Sequence, residues 1–416
     1  MRRIKYAISL ALLLVPWGCV HDTQTRQANA SLPHIRVRLL ENVEQVSVRA
    51  GDNPRVSVDS QPGGRVLQFP LGAPVGLSLS ADGWRIGRLA LGSGVMTMQA
   101  ASDRGISING IEYRGDFRFV PVGDGRFDVV NDLEVDDYLK GVVAKEMYSN
   151  WQLEALRAQA VAARTYALYE SHTGGMSRYW DVYPDERSQV YGGMPAETVR
   201  GVEAVNTTAG IVLTYGPGNG HIFKAYFSAC CGGVAQSASD AFPGDDYIEP
   251  LSERYDGPCC SASKFFNWGP IVIKKQELTR RFHLWAQRQG KALGRQMPET
   301  SLAGVARIDV QATNRYGRPT RVIVTDTRAG VRFNWAAEQL RQAVNTDAPT
   351  GTTLPSAFCK IDSDSSADSV RFYEGHGAGH GVGLCQWCAQ ARAAAGQTCQ
   401  QILLEAYPHA KLIPAY

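Results

Sequence analysis

The chain has 416 residues, of which 44% are hydrophobic and 20% are charged, a composition typical of a globular protein rather than a disordered one. This length is sufficient for two or more packed units with a sizeable core. The formal net charge of +3 is spread along the chain without a long basic run, so the charge pattern gives no support to nucleic-acid binding.

The first 18 residues have the pattern of an export signal. A positively charged start precedes an apolar run, Ala7 to Trp17, that is too short to span a bilayer. Gly18-Cys19 follows directly and is similar to a bacterial lipoprotein processing site, which predicts lipidation of Cys19; a cut after Ala30 is the alternative. We therefore expect an exported protein of the periplasm or cell envelope, with residues 19–33 as a tether and a lipid as its only membrane attachment.

Residues 34–130 are predicted to be rich in β-strands, because short apolar or alternating segments lie between Gly, Asp and Pro breaks. Gly123-Asp124-Gly125 predicts a hairpin turn. An Ala-rich helix is predicted from Leu153, where apolar residues recur at helical spacing. Together these patterns predict an α+β fold, with a β-rich N-terminal part at 34–130 and a mixed α/β core at 131–416.

The second half of the chain predicts further helices and a hairpin. Lys274 to Met297 is expected to be a charged helix with a solvated face. A hairpin is predicted around Tyr316 to Pro319, followed by a helix from Asn334. A Gly-rich loop at 375–383 leads into a C-terminal Ala-rich helix, and its residues are consistent either with a tight turn or with one wall of a substrate groove.

Glu146 is the first candidate for chemistry. It stands alone between Lys145 and Met147, about one turn before the predicted Ala-rich helix. Apolar neighbours such as Val143 would raise the pKa of its carboxyl group, as a general acid requires, whereas a helix N-terminus would favour the charged form. The residues alone leave two interpretations open, a catalytic acid or a capping or salt-bridge residue.

The cysteines favour disulfides. If Cys19 carries a lipid, eight of the nine remain, and an even number in an exported protein is typical of disulfide bonding. The remaining cysteines are Cys230, Cys231, Cys259, Cys260, Cys359, Cys385, Cys388 and Cys399. We expect no required cofactor.

Two alternatives remain for these cysteines. The doublets Cys230-Cys231 and Cys259-Cys260, with His221, are candidate ligands of a structural zinc, although adjacent cysteines are awkward ligands for one ion. Cys385 and Cys388 have the spacing of a redox pair.

Several stretches, taken together, resemble the SpoIID/LytB family. They are "YRGDFRFVPVGDGRFDVVNDLEVDDYLKGVVAKEM", "SNWQLEALRAQAVAARTYAL", "WDVYPDERSQVYGG", "AYFSACCGGVAQS", "LPSAFCKI" and "GHGVGLCQWCAQARAAAGQTCQQILLEAYPHAKL". The similarity extends from about Ile35 to the C-terminus and is most specific at 113–236 and 375–412. Tyr148 stands where proline is usual, and Cys388 stands where glycine is usual.

The resemblance implies an enzyme that acts on peptidoglycan. Family enzymes are lytic transglycosylases that cleave glycan strands to leave 1,6-anhydromuramyl ends, and their catalytic acid corresponds to Glu146. Other relatives are amidase enhancers, which makes a non-catalytic partner of a cell-wall amidase the alternative. Some members bind a structural zinc near the site.

The expected substrate-binding residues come from the same motifs. We expect them to line the substrate groove and to bind sugar hydroxyls and acetamido groups. For Arg164, a structural pairing with an acid such as Asp181 is an equal alternative. The expected set is Gln159, Arg164, Gln189, Tyr191, Ser228, His380 and Gln386.

Overall fold

The computed structural model describes residues 32–68, 72–174 and 178–416. The expected signal peptide at 1–18, the lipidation site at Cys19 and most of the expected tether lie outside the described residues. Within the described ranges, no helix combines the length and apolar character needed to cross a membrane.

Two antiparallel six-stranded sheets form the N-terminal part of the described chain. Their orders are β1-β12-β11-β8-β3-β4 and β10-β9-β2-β5-β6-β7. The strands are β1 (His34–Val43), β2 (Gln45–Ala50), β3 (Arg55–Val58), β4 (Gln61–Val66), β5 (Val75–Ser80), β6 (Gly83–Ile86), β7 (Leu89–Ala90), β8 (Met96–Gln99), β9 (Ile106–Ile108), β10 (Ile111–Tyr113), β11 (Asp116–Gly123) and β12 (Arg126–Glu134).

Alternation of apolar residues fixes the packing of these sheets. Phe119 on β11 and Phe127 on β12 pack edge-on against the buried Trp84, with ring centroids 6.2 and 5.0 Å from the indole. The predicted hairpin between β11 and β12 is present, and Asp124 and Gly125 take the positive φ of 52° and 69° that a tight hairpin turn needs.

Helices pack around one Ala-rich helix. The helices are α1 (Val135–Glu146), α2 (Leu153–Gly174), α3 (Val199–Thr207), α4 (Ala238–Ala241), α5 (Lys275–Leu293), α6 (Ala337–Asn345), α7 (Gln386–Ala394) and α8 (Cys399–Ala406), with short 3₁₀ segments at Met194–Ala196, Glu249–Leu251, Gly257–Cys260 and Pro298–Ser301. The small side chains of Ala158, Ala160 and Ala163 are fully buried, so that α1, α3, α7 and α8 all contact α2. The α+β fold class is confirmed.

A second hydrophobic core lies between 271 and 372. The remaining strands are β13 (Ile211–Tyr215), β14 (His221–Ile222), β15 (Phe227–Ser228), β16 (Val234–Ala235), β17 (Arg254–Tyr255), β18 (Asn267–Trp268), β19 (Ile271–Lys274), β20 (Val305–Thr313), β21 (Pro319–Asp326), β22 (Arg332–Ala336), β23 (Lys360–Asp362), β24 (Ser369–Tyr373), β25 (Gly375–His376), β26 (Leu384–Cys385) and β27 (Lys411–Pro414). Strands β20, β21 and β22 form a three-stranded sheet, which includes the predicted hairpin, and α5 and α6 pack in the same core.

Helix α5 is amphipathic, not merely the solvated charged helix that its composition predicts. Leu278, Phe282 and Trp285 recur at intervals of four and three residues and are buried in this second core. Their spacing places them on one face of the helix. The many Lys and Arg residues conceal this apolar face when only the charge of the segment is considered.

Thr398 at the start of α8 gives a stability prediction. Its hydroxyl accepts from the Gln401 backbone N–H, and the Gln401 side-chain oxygen accepts from the Thr398 N–H. Thr398→Ala should therefore lower the free energy of unfolding by about 0.5–2 kcal/mol, measured by urea denaturation. Thr398→Ser keeps the hydroxyl and should retain most of the stability of the original chain. Equal stability of the alanine variant and the original chain would contradict this role.

Candidate functional site

Glu146 is the last residue of α1, and α2 begins only at Leu153. The expectation that Glu146 precedes the N-terminus of the Ala-rich helix by one turn is therefore wrong. Met147 breaks the helical path with φ −130° and ψ 151°, and the Trp151 N–H then donates to the Tyr148 carbonyl in the connecting turn. The carboxylate thus lies at a helix C-terminus, where the helix dipole disfavours negative charge.

Two amide donors hold the carboxyl group of Glu146, a residue that as a whole remains partly exposed. The Val190 backbone N–H donates to Oε1 at 2.9 Å, and the Gln386 side-chain Nε2 donates to Oε2 at 3.3 Å. The ion pairs found among the described residues do not include Glu146. Burial raises the pKa of this carboxyl group above its ordinary value; the two hydrogen bonds oppose the rise, and the charge of Glu186 adds to it.

Gln386 connects Glu146 to α2. As the first residue of α7, it places its Nε2 3.4 Å from Oε1 of Gln159, which is fully buried on α2. The Gln159 Nε2 has no hydrogen-bond partner within the part of the chain that the structure describes. A buried donor of this kind is usually satisfied by water or a ligand. Glu146, Gln159 and Gln386 therefore form one polar group.

An aromatic cluster flanks this polar group. The rings of Trp151 and Trp387 are 4.8 Å apart, and Tyr148 lies 5.3 Å from Trp151 and 6.4 Å from Trp387. Tyr148 is 59% exposed, although it is only two residues from Glu146. An aromatic ring that is exposed on one side and supported by neighbouring rings on the other can offer a flat apolar face to a ligand. In the sequence, Tyr148 stands out only as a departure from a family pattern, and no spacing indicates the aromatic cluster.

The Gly-rich loop is a tightly bonded turn. His380 accepts the Val382 N–H at its Nδ1, and its carbonyl accepts from both Gln236 and Arg318. Burial lowers the pKa of His380 to about 4, so the imidazole is neutral at pH 7. Ser228 Oγ accepts the Gly381 N–H. His380 and Ser228 therefore support the loop, and no described hydrogen bond links either residue to Glu146.

Three other expected substrate-binding residues are buried and bind other groups of the core. Arg164 is fully buried and pairs with Asp136 at 2.8 Å. This ion pair is the structural role given as the alternative for Arg164, but the acid is Asp136, because Asp181 pairs with Arg36 instead. Tyr191 is buried and donates its hydroxyl to Asn131 at 3.2 Å. Gln189 donates to the Ala163 carbonyl, although its buried Oε1 lacks a partner among the described residues.

Six cysteines converge behind the start of α7. Cys259 and Cys388 form a disulfide, while Cys230, Cys231, Cys260 and Cys385 are buried free thiols. The interpretation of Cys385 and Cys388 as a redox pair is not supported, because Cys388 bonds to Cys259 instead. His221 is exposed on β14 and does not lie with these buried cysteines. In the sequence, the two cysteine doublets and the C-x-x-C pair are separate features. Only the fold shows that they lie together in one buried cluster.

Comparisons with known proteins give a matching family model and several relatives. The family model described as SpoIID, stage II sporulation protein, matches residues 123–215, which contain Glu146 and Val190. An uncharacterized protein of Brachyspira hyodysenteriae is 32% identical over 302 residues, 72% of each chain. The stage II sporulation protein D of Bacillus subtilis is 26% identical over 68% of this chain and 76% of its own length. The amidase enhancer of Bacillus subtilis is 27% identical over 65% of this chain, but the match spans only 39% of that protein.

Proposed function

Because the chain belongs to the SpoIID/LytB family and has a cell-wall related function, we propose that it is a lytic transglycosylase that cleaves peptidoglycan glycan strands. The observation that carries this proposal is the state of Glu146. Its carboxyl group is desolvated, has no ionic partner among the described residues and is held by two amide donors. A group that must give up a proton and later take one back needs both protonation states to be accessible.

Most glycosidases use two carboxyl groups, one as acid and one as nucleophile or base. Here one group suffices. Glu146 protonates the glycosidic oxygen as the bond from that oxygen to muramic C1 breaks, and the substrate's acetamido group stabilises the positive charge that develops. The resulting carboxylate removes the proton from the C6 hydroxyl, whose oxygen bonds to C1 and closes the 1,6-anhydro ring. Glu146 regains its proton, and no water is consumed.

The neighbours of Glu146 suit these two half-reactions. Burial favours the acid before proton transfer, and the donors on Val190 and Gln386 stabilise the carboxylate after it. Tyr148, supported by Trp151 and Trp387, offers a face on which a sugar ring can stack.

The test of this function is a product analysis. The intact protein should convert glycan strands stripped of stem peptides into fragments with 1,6-anhydromuramyl ends, detected by mass spectrometry. Reducing ends formed by addition of water would show a hydrolase instead. If neither product accumulates, the proposal fails and the amidase-enhancer alternative gains support.

That alternative rests on the similarity to the amidase enhancer of Bacillus subtilis. It places the chain as a non-catalytic peptidoglycan-binding partner of a cell-wall amidase. The alternative predicts that the chain accelerates stem-peptide release by a purified amidase and that Glu146→Gln leaves this acceleration intact. In either role we place the chain outside the cytoplasmic membrane, with a lipid at Cys19 as its anchor. Labelling with a radioactive fatty acid, compared between the original chain and Cys19→Ala, tests the anchor.

The pH profile of cleavage gives a further prediction. The acid form of Glu146 is lost as the pH rises through its raised pKa, so kcat/KM should fall on the alkaline side. Glu186 is exposed, and its negative charge raises the pKa of Glu146. Glu186→Gln should therefore move the alkaline limb to lower pH, and added salt should shrink the difference because it screens an exposed charge. An unmoved limb, or one that moves to higher pH, would contradict this assignment.

A further inference from the structure

We propose that Cys231, Cys260, Cys385 and Cys388 form a tetrathiolate site for one divalent ion of the zinc class. Their four sulfur atoms lie within 4.8 Å of one another, and all four residues are buried. This site is separate from the Glu146 group and does not depend on the proposed cleavage reaction.

The sulfur spacing fits a tetrahedral ion. Zinc–sulfur bonds of about 2.3 Å place the sulfurs of a tetrahedral site about 3.8 Å apart. The Cys231 sulfur lies 3.7 Å from that of Cys260 and 3.9 Å from that of Cys388. Each cysteine doublet contributes only one sulfur, so the geometric objection to adjacent ligands does not apply. Thiolate ligands of this number select zinc over hard ions such as magnesium and calcium.

Backbone donors hold the sulfur of Cys385 in position. The N–H groups of Cys231 and Cys388 donate to its Sγ at 3.3 and 3.4 Å. Cys385 also caps the nine-residue helix α7, so its sulfur lies at the N-terminus of that helix. Metal-bound thiolates commonly accept hydrogen bonds that orient them, and this arrangement supplies two.

Arg318 is an independent sign that the pocket holds negative charge. Its side chain is fully buried, and the ion pairs among the described residues do not include it. Its guanidinium donates only to carbonyl oxygens, those of Cys231 at 3.1 Å, Val234 at 2.8 Å and His380 at 2.9 Å. The charge of Glu338 acts on this guanidinium, but Glu338 itself pairs with Arg341. A buried cation without a counter-charge of its own is costly. A zinc ion with four thiolates carries a net charge of −2 and would provide that counter-charge beside Cys231.

The Cys259–Cys388 disulfide and the ion compete for one sulfur. A thiol reductant donates two electrons and two protons to the disulfide and becomes a disulfide itself, which frees the Cys259 and Cys388 thiols. Binding of Zn²⁺ then releases the four ligand protons and forms four sulfur–zinc bonds. Cys259 is left as a free thiol outside the ligand set, so its removal should favour the ion.

The experiment measures zinc per chain in the full-length protein. Protein reduced with a thiol, incubated with Zn²⁺ and desalted should hold about one ion, with X-ray absorption showing four sulfurs at about 2.3 Å. Cys259→Ser should reach the same occupancy without any reductant. Cys231→Ser and Cys260→Ser should lose at least about tenfold in zinc affinity.

Matched controls separate ligand loss from general damage. Cys359→Ser, in the second core, and Cys399→Ser, at the start of α8, should hold as much zinc as the original chain. Glu146→Gln should also keep its zinc, so that failure of the cleavage proposal and failure of the metal proposal are distinguishable. The inference is overturned if the reduced original chain binds no zinc, if nitrogen or oxygen dominates its ligand shell, or if Cys259→Ser still needs reductant.

Discussion

Glu146→Gln should lower the rate of glycan-strand cleavage by about 10²- to 10⁴-fold, the range that a positioned general acid contributes. Glutamine keeps the shape of the side chain and its carbonyl oxygen can still accept a hydrogen bond, but it cannot donate and reclaim a proton. The measurement is the initial rate of 1,6-anhydromuramyl product formation on denuded strands. Glu203→Gln, an exposed change on α3, is the matched control and should leave the rate unaltered.

Stability distinguishes this loss from misfolding. The folded-state pKa of Glu146 is raised, so the stabilising contribution of this group is fully present below its unfolded pKa and is lost as the pH rises through the folded pKa. The neutral amide of Glu146→Gln does not suffer this loss. The variant should therefore be at least as resistant to urea at pH 7 as the original chain. Activity within threefold of the original would exclude Glu146 as the acid, and inactivity with a collapsed urea midpoint would assign it a structural role.

Gly381→Ala should destabilise the protein by about 3–5 kcal/mol, because it disturbs a buried charged group. A Cβ atom at this position would lie 2.2 Å from Arg318 Nη1, and the backbone φ of 72° is itself unfavourable for alanine. The guanidinium would have to leave the Cys231 and Val234 carbonyls, and those buried oxygens would lose their charged donor. Urea denaturation followed by circular dichroism measures the effect.

Gly396→Ala isolates the backbone part of this effect. Gly396 also has a positive φ, of 90°, but a Cβ there would meet nothing within 4 Å. Its replacement should cost only about 1–2 kcal/mol, the penalty of a left-handed conformation. If the two variants lose equal stability, the contact between Gly381 and Arg318 contributes nothing measurable.

Local patterns in the sequence predicted the elements well, because hydrophobic periodicity and turn residues act over a few positions. The hairpin at Asp124, the Ala-rich α2 and the α+β class all follow from such patterns. The helix that ends at Glu146 was not predicted, although the apolar residues from Val135 to Val143 also recur at helical spacing. The composition of α5 likewise obscured its buried face.

The immediate surroundings of the site depend on distant segments and were only partly predictable. The motifs pointed to Glu146, Gln159 and Gln386, although 240 positions separate the first from the last. Nothing in the spacing identifies the Val190 N–H as a donor, since a backbone group carries no residue signature. Arg164 and Tyr191 lie in the same motifs but contact Asp136 and Asn131 in the interior, because a polar group within a recognisable motif can serve the core instead of a ligand.

The first turn of α7 has a consequence for how this protein can change over evolutionary time. Gln386 and Trp387 face the carboxyl group and the aromatic cluster, whereas the residues on either side of them, Cys385 and Cys388, belong to the sulfur pocket. Four consecutive positions are thus shared by two neighbourhoods on one rigid segment. A lineage that loses the cysteines must therefore find another way to hold this turn in register if it is to keep the glutamine beside Glu146.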